Sequence, residues 1–401
     1  MSLELSVKAT AVKPSSTLNI AATVTAMRAA GKNVVSFTVG QPDFITPRNI
    51  REAAKRAIDT GFTKYTAVAG YPELLQAVSD KFKQENGLDY TPEQIVVSNG
   101  GKHSLMNVFS VLLNPGDEVL IPGPYWLSYP EIVKLADGVP VYVMTDASTD
   151  YKVCVKALEQ VITPKTKALI INTPNNPTGM MYSRKELKAI ADFAVQHDIY
   201  VVSDEIYEYL NYTGEPHVSI ASLGPAIYER TVTVNGLSKS YAMTGWRMGY
   251  IGAPLSVARA VAGIQSHQTS NISSITQKAA YEALTGPHDE RDAMVRAFTD
   301  RRELLLKLLR PLPHIHFQEP QGAFYVLVDC TALIDTVYDG VCLKDAAMIA
   351  DILLRDYAVA VIPCADFGYP NHIRLSYAVH EDEIRDGVRQ IAVFLSKIET
   401  K

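Results

Sequence analysis

The chain has 401 residues, of which 47% are hydrophobic and 20% charged, values typical of a globular protein with a large core. Its 38 basic and 43 acidic residues leave a net charge of -5, which gives no reason to expect a nucleic acid or an anionic membrane as partner. The four cysteines show no CxxC spacing, so we expect reduced thiols and neither a metal site nor a disulfide framework. The N-terminus lacks a basic segment followed by an apolar core, and no apolar run approaches the roughly 20 residues that span a bilayer. We therefore expect a soluble, cytoplasmic protein.

The first part of the chain combines helices with one short strand. The hydrophobic spacing predicts helices over Ser15–Ala30, Arg48–Asp59 and Pro72–Glu85. A strand over Val34–Val39 runs into a proline-rich loop that begins at Gly40. A glycine at a strand end lets backbone N–H groups approach a ligand closely, although an ordinary turn fits this loop as well.

The middle of the chain alternates between short apolar runs and helical segments. The apolar runs predict buried strands over Gln94–Ser98, Glu118–Pro122, Lys167–Asn172, Ile199–Ser203 and Thr231–Val234. Because helical segments separate the earlier runs, the sequence predicts an α/β fold with a mostly parallel central sheet covered by helices on both faces. In such sheets, ligands lie beyond the carboxyl ends of the strands.

The pattern changes after the last of these strands. It predicts long helices over Ser256–Leu284 and Asp289–Leu309, followed by a shorter alternation of strands and helices. We interpret this change as the start of a second, smaller α/β domain. The predicted large domain covers residues 48–295, and the predicted small domain combines residues 1–47 with residues 296–401.

Lys239 lies between two serines in a polar loop that follows the Thr231–Val234 run. A lysine held between buried strands loses solvent, and the resulting fall in its pKa makes it a candidate imine-forming amine. Arg247, eight residues later, has the planar fork that pairs with phosphate oxygens. Together they suggest pyridoxal phosphate, although a solvated lysine and a surface ion-pair arginine also fit these two residues taken alone.

Polar and aromatic side chains also follow the other predicted strands. The pyridine nitrogen of such a cofactor needs a buried carboxylate beside it, and Asp204 ends the run VVSD. Tyr207 lies on the same side of a helical turn and Asn176 follows another strand, so both can bond to the phenolic oxygen of the ring. Trp126 offers a flat apolar face to the ring. Taken alone, Asp204 also fits a helix N-cap, and Trp126 also fits a core position.

A pair of glycines precedes the helix that follows the first central strand. The N–H groups of Gly100, Gly101 and Lys102, together with the helix dipole, favour a phosphate at this position. The segment has neither GxxxxGK[ST] nor GxGxxG spacing, which argues against a nucleotide. The dipole opposes a cation at a helix N-terminus, so Lys102 either lies beside an anion or extends into solvent.

A series of motifs in chain order resembles the class I aminotransferases of fold type I, and most closely the bacterial-type aspartate aminotransferases. The motifs are GQPDF at Gly40, SNGGK at Ser98, PYW at Pro124, NTPNNPTG at Asn172, SDEIYE at Ser203, SKSYAMTGWRMGY at Ser238 and IRLSYA at Ile373. The resemblance implies a fold type I transferase that acts on amino acids and 2-oxo acids by a ping-pong mechanism. It also implies a homodimer with shared active sites.

The resemblance further implies roles for the residues around the cofactor. Lys239 is expected to form the internal aldimine and to move the proton between substrate Cα and cofactor C4′. Asp204 is expected beside the pyridine nitrogen, and Tyr207 and Asn176 beside the phenolic oxygen, with Trp126 stacked on the ring. The residues expected on the phosphate side are Gly101, Lys102, Arg247 and, from the neighbouring subunit, Tyr65.

For the substrate, the resemblance implies that Arg374 binds the α-carboxylate and that Gly40 contacts the same end through its backbone. The other expected substrate contacts are Trp126, Asn176, Lys102 for the distal carboxylate of aspartate, and Lys13 at a basic position linked in related enzymes to prephenate. We therefore expect an L-aspartate:2-oxoglutarate aminotransferase.

Several other functions fit the same motifs. Within the fold they are an aspartate-prephenate or glutamate-prephenate aminotransferase, an aromatic or alanine aminotransferase, and a carbon-sulfur β-lyase. A non-catalytic, cofactor-binding regulator is the alternative from another class, but the sequence offers no DNA-binding segment for it. Two residues depart from the family pattern. Gly236 stands where a phosphate-binding serine is often found, and Cys364 stands where glycine is common.

Overall fold

The computed structural model describes residues 4–12 and 16–399. Its α-helices are α1 (Val7–Ala11), α2 (Ser16–Ala29), α3 (Arg48–Asp59), α4 (Pro72–Asn86), α5 (Gly101–Leu112), α6 (Ser128–Leu135), α7 (Val155–Glu159), α8 (Arg184–Gln196), α9 (Pro225–Tyr228), α10 (Leu255–Gln268), α11 (Ser274–Thr285), α12 (Asp289–Leu309), α13 (Ala346–Tyr357) and α14 (Glu381–Leu395). None of these described helices combines the length and the apolar character needed to cross a membrane.

The strands are β1 (Val35–Ser36), β2 (Ile95–Ser98), β3 (Glu118–Pro122), β4 (Val139–Val143), β5 (Thr166–Asn172), β6 (Tyr200–Asp204), β7 (Thr231–Gly236), β8 (Gly249–Gly252), β9 (His316–Phe317), β10 (Tyr325–Asp329), β11 (Val337–Tyr338), β12 (Val341–Cys342), β13 (Val359–Ala360), β14 (Ile362–Pro363), β15 (His372–Ser376) and β16 (Ile398–Glu399).

A seven-stranded sheet forms the centre of the fold, in the order β2-β8-β7-β6-β5-β3-β4. β8 is antiparallel to both of its neighbours, and every other adjacent pair is parallel. β2 and β7 therefore run in the same direction, and the carboxyl ends of β2, β3, β5, β6 and β7 meet at one edge of the sheet. The predicted α/β fold with a mostly parallel sheet is confirmed.

The central strands are apolar on both faces because helices cover both faces. In β5, Ala168 and Ile170 pack into a core that includes residues of α5, α6 and α10. Leu169 and Ile171 face the opposite way, into a core that includes residues of α7 and α8. Burying a large aliphatic side chain contributes roughly 1.5–3 kcal/mol. The two cores thus hold the strands rigidly, and the strand ends provide a fixed base for polar side chains.

The C-terminal part of the chain builds a second sheet, in the order β14-β15-β10-β9, with antiparallel pairs. Arg374 lies in β15, opposite Leu327 of β10 and Ile362 of β14. The N-terminal segment joins this part of the molecule, because β1 pairs in parallel with β13 and the Ser376 N–H donates to the Phe37 carbonyl at 2.9 Å. These contacts bring the loop at Gly40 close to Arg374.

The structure differs from the sequence-based elements in several places. The predicted helix over Ser256–Leu284 is in fact two helices, α10 and α11, because the chain turns at Ser270, which adopts a φ of 60°. The strand β4 and the helix α6 are absent from the sequence-based elements. β4 reads VPVYV, and a proline inside an apolar run argues against a central strand; the structure accommodates it because β4 is an edge strand that is only partly buried.

Candidate active site

The carboxyl ends of the central strands form one side of a cavity of about 590 Å³. The predicted site residues that line it are Gly101 and Lys102 after β2, Trp126 after β3, Asn176 after β5, Asp204 and Tyr207 at the end of β6, Lys239 after β7, Arg247 before β8, Gly40 after β1, and Arg374 in β15. Sequence reasoning therefore identified residues from both sheets that the fold brings into one cavity.

Asp204 ends β6 and is only 6% exposed. The hydroxyl of Tyr129 donates to its Oδ2 at 2.7 Å, and the N–H of Ile206 donates to its Oδ1 at 3.3 Å. Burial raises the pKa of Asp204 to about 6, although the hydrogen bond from Tyr129 opposes this rise. Both hydrogen-bond partners are neutral, so the charge of this carboxylate is left for a cation in the cavity to balance.

Lys239 enters the cavity from the loop after β7. Its Nζ donates to the carbonyl oxygen of Gly40 at 2.5 Å and lies 5.8 Å from the centre of the Tyr207 ring. Burial, helped by the positive charge of Arg374, lowers the pKa of Lys239 to about 8, while Asp204 acts in the opposite direction. A large fraction of the amine is therefore neutral near pH 8, and the neutral form is the nucleophile.

Arg374 is only 3% exposed. Its guanidinium donates to Oδ1 of Asn176 at 2.9 Å and to the carbonyl of Thr38 at 3.1 Å, and it lies 4.3 Å from the centre of the Tyr325 ring. Within the described part of the chain, its buried Nε has no hydrogen-bond partner. A buried guanidinium with neutral partners and a free donor is well suited to bind an anion.

The cavity also carries hydroxyl, amide and aromatic groups. The hydroxyl of Tyr207 lies 3.0 Å from that of Tyr325. Because Arg374 donates to the side-chain oxygen of Asn176, the Nδ2 group of this amide remains available as a donor. These two groups provide neutral hydrogen bonds near the carboxylate and the lysine.

Lys102 lies at the mouth of the cavity, where its Nζ is 4.9 Å from the centre of the Trp126 ring. Desolvation lowers the pKa of Lys102, and the positive charge of Arg247 adds to this effect. The aromatic face partly compensates the ammonium. An anion at this end of the cavity would compensate it further, which is one of the two arrangements that the dipole argument from the sequence allows.

Glycines allow Arg247 to lie close to the N-terminus of α5, beside Lys102. α5 begins at Gly101, and the preceding Gly100 adopts a φ of 89°. A Cβ atom on Gly100 would lie 2.6 Å from a terminal nitrogen of Arg247, whose guanidinium donates to the carbonyl of Asn99 at 3.2 Å. A Cβ atom on Gly249 would lie 2.3 Å from the backbone nitrogen of Gly101. The first amides of the helix and the arginine fork together form a suitable site for a phosphate group.

Two predicted residues lie elsewhere. Tyr65, in the loop between α3 and α4, is 89% exposed and does not line the cavity of its own chain. Lys13 lies outside the described residues.

The structure also adds residues that the sequence motifs do not single out, among them Thr38, Tyr129 and Tyr325. Tyr129 is the most informative of these residues because it bonds to Asp204. Its one sequence signal is its position three residues after Trp126, with which its ring makes an edge contact at 5.3 Å.

Gly236 and Cys364 are the two residues that differ from the family pattern. The structure gives a physical reason for the glycine at 236 and shows the surroundings of Cys364. A Cβ atom on Gly236 would lie 3.0 Å from both the Cα of Gly249 and the side chain of Ile206, so close packing disfavours a serine there. Cys364 is fully buried with φ -101° and ψ 20°, a backbone conformation that does not require glycine.

Comparison with known proteins gives independent evidence on the family of this chain. Residues 32–391 match the family model for aminotransferase class I and II. The chain is 45% identical over 382 residues to the aspartate aminotransferase of Bacillus sp. strain YM-2, covering 95% of this chain and 96% of that protein. It is 44% identical over 385 residues to the aspartate/prephenate aminotransferase of Cereibacter sphaeroides, covering 96% of each. The crystal structure of the aspartate aminotransferase from Rhizobium meliloti matches with a TM-score of 0.96 at 38% identity, covering 99% of this chain and 100% of that one. The chain therefore belongs to the class I and II aminotransferases.

Proposed function

We propose that this aminotransferase binds pyridoxal 5′-phosphate at Lys239 and moves the amino group of L-aspartate to 2-oxoglutarate. One observation carries the proposal: a lysine with a pKa of about 8, a buried carboxylate and a buried guanidinium with a free donor line one cavity. The names of the relatives from Bacillus sp. and Rhizobium meliloti support aspartate as the amino donor.

The cavity fits this cofactor at both ends of the molecule. The glycine-lined helix N-terminus and Arg247 suit its phosphate, and a side chain at Gly100 would close the space between them. At the other end, Asp204 lacks a cationic hydrogen-bond partner and suits a protonated pyridine nitrogen. When bound, the cofactor supplies an electron-withdrawing ring that lowers the cost of removing the substrate α-proton.

The surrounding side chains hold the ring and set its charge. We assign the pyridine nitrogen to Asp204, the phenolic oxygen to the hydroxyl of Tyr207 and the Nδ2 of Asn176, and a ring face to Trp126. The phosphate residues in this proposal are Gly101, Lys102, Arg247 and Tyr65 of a second copy. Tyr129 keeps the Asp204 carboxylate ionised, because its hydrogen bond opposes the rise in pKa caused by burial.

Lys239 is the proposed catalytic base and acid. Its Nζ, neutral in a large fraction of molecules near pH 8, accepts the α-proton of the substrate and returns a proton at the end of the half-reaction. The carbonyl of Gly40 accepts a hydrogen bond from this nitrogen and so directs the amine toward the substrate side of the cavity.

The substrate has an anionic group at each end, and the cavity has a cation for each. We assign the α-carboxylate to Arg374, which Asn176 and the carbonyl of Thr38 hold in a fixed orientation and whose Nε remains free to donate. Gly40 contacts the same end of the substrate through its backbone. Lys102, at the mouth of the cavity, is assigned to the distal carboxylate of aspartate.

Covalent trapping tests the position of the cofactor. Pyridoxal phosphate is added to the full-length protein, the adduct is reduced with borohydride, and the labelled peptide is identified by mass spectrometry. We expect the label on Lys239, and we expect the Lys239→Ala variant to remain unlabelled. Recovery of the label on another lysine would refute the assignment.

Comparison of two amino donors tests the role of Lys102. Lys102→Ala removes a charged hydrogen-bond donor, so we expect kcat/KM for aspartate to fall roughly tenfold to a hundredfold. Alanine has no distal carboxylate and serves as the internal control. Because Lys102 is also assigned to the phosphate, both donors are assayed with saturating pyridoxal phosphate, and we then expect little change for alanine. Undiminished turnover of aspartate by the variant would show that the lysine does not recognise the acidic substrate.

Prephenate is the second candidate amino acceptor, and the name of the Cereibacter sphaeroides relative favours it. A wild-type assay with 2-oxoglutarate and prephenate as competing acceptors ranks the two. A panel of aromatic amino acids, alanine and cysteine conjugates separates the aspartate activity from the other functions of this fold. A protein whose cofactor spectrum responds to none of them fits a non-catalytic regulator.

We also propose that the protein is a cytoplasmic homodimer of two-domain subunits. The exposure of Tyr65 supports the shared site, because the side chain is available to a second copy. The pairing of β1 with β13 supports a small domain that combines residues 1–47 with residues 296–401 and a large domain of residues 48–295.

A further inference from the structure

A cluster of charged side chains lies buried behind the turn that carries Asp204 and Tyr207. Glu205 is 0% exposed, Glu208 is 6% exposed and Lys81 of α4 is 5% exposed. None of these three residues lines the cavity, and none carries a role in the proposed reaction. Buried charges are costly unless their partners are placed accurately, so the contacts of this cluster indicate what it holds in place.

Glu208 receives hydrogen bonds from three side chains that belong to two elements, α4 and β7. Lys81 donates to its Oε1, Asn86 at the end of α4 donates to its Oε2 at 2.8 Å, and Asn235 in β7 donates to its Oε1 at 2.8 Å. Lys81 also donates to Oδ1 of Asn86 at 2.7 Å. Burial tends to raise the pKa of Glu208, but the charges of Lys81 and His217 and the hydrogen bonds from Lys81 and Asn86 together outweigh it, so the pKa is lowered. The carboxylate is therefore ionised and well satisfied.

The same cluster contains three potential metal ligands, since ligand atoms of Glu205, Glu208 and His217 lie within 4.8 Å of one another. These ligand atoms already have protein partners. Glu205 accepts from Ser203 at 2.7 Å, from Ser219 at 2.8 Å and, on its other oxygen, from His217 at 3.0 Å. The ammonium of Lys81 supplies the positive charge at Glu208. The arrangement is thus an internal ion-pair network. We therefore ask which segments of the chain it connects.

Glu208 and Asn235 connect two strand ends that carry reacting groups. Glu208 lies one residue after Tyr207 and four residues after Asp204, whereas Asn235 lies four residues before Lys239. Regular pairing between β6 and β7 ends at Asp204 and Val234, followed by one further bond from the Glu205 N–H to the Val234 carbonyl at 2.9 Å. The Glu208–Asn235 hydrogen bond continues the connection beyond the sheet.

Asn235 also bonds to the backbone of the segment that leads to Lys239. Its Oδ1 accepts a hydrogen bond from the Gly236 N–H at 2.7 Å, while its Nδ2 donates to Glu208. Gly236 in turn packs so tightly that an added Cβ atom would lie 3.0 Å from the side chain of Ile206 in the Asp204–Tyr207 turn. Both strand ends are therefore fixed to each other and, through Lys81, to α4.

We propose that Glu208, oriented by Lys81 and bonded to Asn235, is a positioning residue that fixes the separation between the Asp204–Tyr207 turn and Lys239. Its importance for catalysis rests on the proposed function, because Asp204, Tyr207 and Lys239 then hold different atoms of one cofactor. Without the bond from Asn235 to Glu208, the lysine loop moves more freely and admits water to the amine.

The titration of Lys239 in the cofactor-free, full-length protein tests this proposal. The rate at which an amine-specific reagent labels Lys239, followed by peptide mass spectrometry, gives the pH midpoint of the amine. Burial and four charged groups act on this midpoint, and the variants leave all four unchanged: Arg374, Asp204, Arg247 and Lys102. We expect Asn235→Ala to raise the midpoint by about half a pH unit or more, because hydration restores the ordinary pKa of a lysine.

Two further variants complete the design. Glu208→Gln keeps the shape of the side chain and removes its charge, and we expect it to shift the midpoint in the same direction as Asn235→Ala. Asn86→Ala is the matched control, since it removes two hydrogen bonds from the cluster but leaves Glu208 bonded to Asn235. We expect this control to lower the melting temperature without moving the midpoint.

Kinetics of the cofactor-loaded enzyme provides the second readout. For Asn235→Ala we expect kcat to fall about tenfold while KM for the amino donor changes less than about twofold, because Arg374 and its partners are not altered. A wild-type midpoint in Asn235→Ala and in Glu208→Gln would overturn the proposal, as would an equal shift in Asn86→Ala. Failure of pyridoxal phosphate to bind the wild type would instead refute the proposed function, and the labelling result would still stand.

Discussion

At the scale of single residues, burial sets the properties of the groups proposed to react. Asp204 and Lys239 are both shifted toward their neutral forms, with pKa values of about 6 and about 8. The pKa of Asp204 lies above its ordinary value of 3.8, so the folded protein holds this proton more tightly than the unfolded chain does. The stabilising contribution of the protonated form is complete below pH 3.8 and is lost as the pH rises through 6. A cation bound beside the carboxylate removes this penalty.

The hydrogen bond from Tyr129 to Asp204 gives a prediction at this scale. Tyr129→Phe removes a donor that favours the ionised carboxylate, so the pKa of Asp204 should rise further. Hydrogen bonds to charged groups contribute roughly 1.5–3 kcal/mol, and we expect the dissociation constant for pyridoxal phosphate near pH 7 to rise roughly tenfold to a hundredfold. Fluorescence titration of the cofactor-free protein measures this change.

Tyr228→Phe is a suitable control for this prediction. It also removes a phenolic hydroxyl, but that hydroxyl bonds to the carbonyl of Asp89. We expect the control to bind pyridoxal phosphate as the wild type does. Equal dissociation constants for Tyr129→Phe and the wild type would show that Tyr129 does not support the carboxylate.

At the scale of elements, the site depends on close backbone approach at one end of the sheet. β8 runs between β2 and β7, and Gly249 faces Ser98 on one side and Gly236 on the other. This arrangement presses the start of β8 against the N-terminus of α5, where a Cβ atom on Gly249 would lie 2.3 Å from the nitrogen of Gly101. The contact involves backbone atoms, which cannot move aside as a flexible side chain can.

Gly249→Ala should therefore be destabilising. Overpacking at a rigid contact costs roughly 1–3 kcal/mol, and displacement of α5 should also weaken pyridoxal phosphate binding. Gly263→Ala in α10 is the control, because a Cβ atom there meets nothing within 4 Å and alanine favours a helix by about 1 kcal/mol. Urea unfolding measures the change in the free energy of unfolding for each variant. A Gly249→Ala variant as stable as the wild type would contradict the packing argument.

At the scale of the whole molecule, the exposure of Tyr65 is the feature that a single chain does not explain. The tyrosine is 89% exposed and does not line the cavity of its own chain, although the resemblance implies a phosphate contact for it. A second copy that brings its Tyr65 to this site would account for both facts. Such a contact is symmetric, because each subunit lends the same residue to the other.

Subunit mixing tests this sharing. Lys239→Ala should be inactive, and Tyr65→Ala should be weak when cofactor is below saturation. In randomly mixed dimers, about half are hybrids and each hybrid has one intact site, so we expect about a quarter of wild-type activity after mixed refolding. Each variant refolded alone is the control. Activity no higher than the average of the two controls would indicate that the sites are not shared.

Much of the fold and most of the cavity residues follow from the sequence because their signals are local. Compact apolar runs predict the central strands, and polar or glycine-rich segments at their ends predict Asp204, Asn176, Lys239 and the N-terminus of α5. The break at Ser270 and the edge strand β4 were not predictable in the same way, since no glycine or proline marks the break and a proline interrupts the apolar run of β4.

The sequence by itself therefore determined the chemical groups and the strand ends that carry them, because side-chain type and hydrophobic period are properties of neighbouring residues. Only the tertiary structure decided that Tyr129 supports Asp204, that Arg374 meets Asn176, and that Glu208 joins Asn235 to Lys81. These pairs are separated by 27 to 198 positions along the chain. Contacts of this kind exist only after the sheet has set the order of its strands, so no local pattern can specify them.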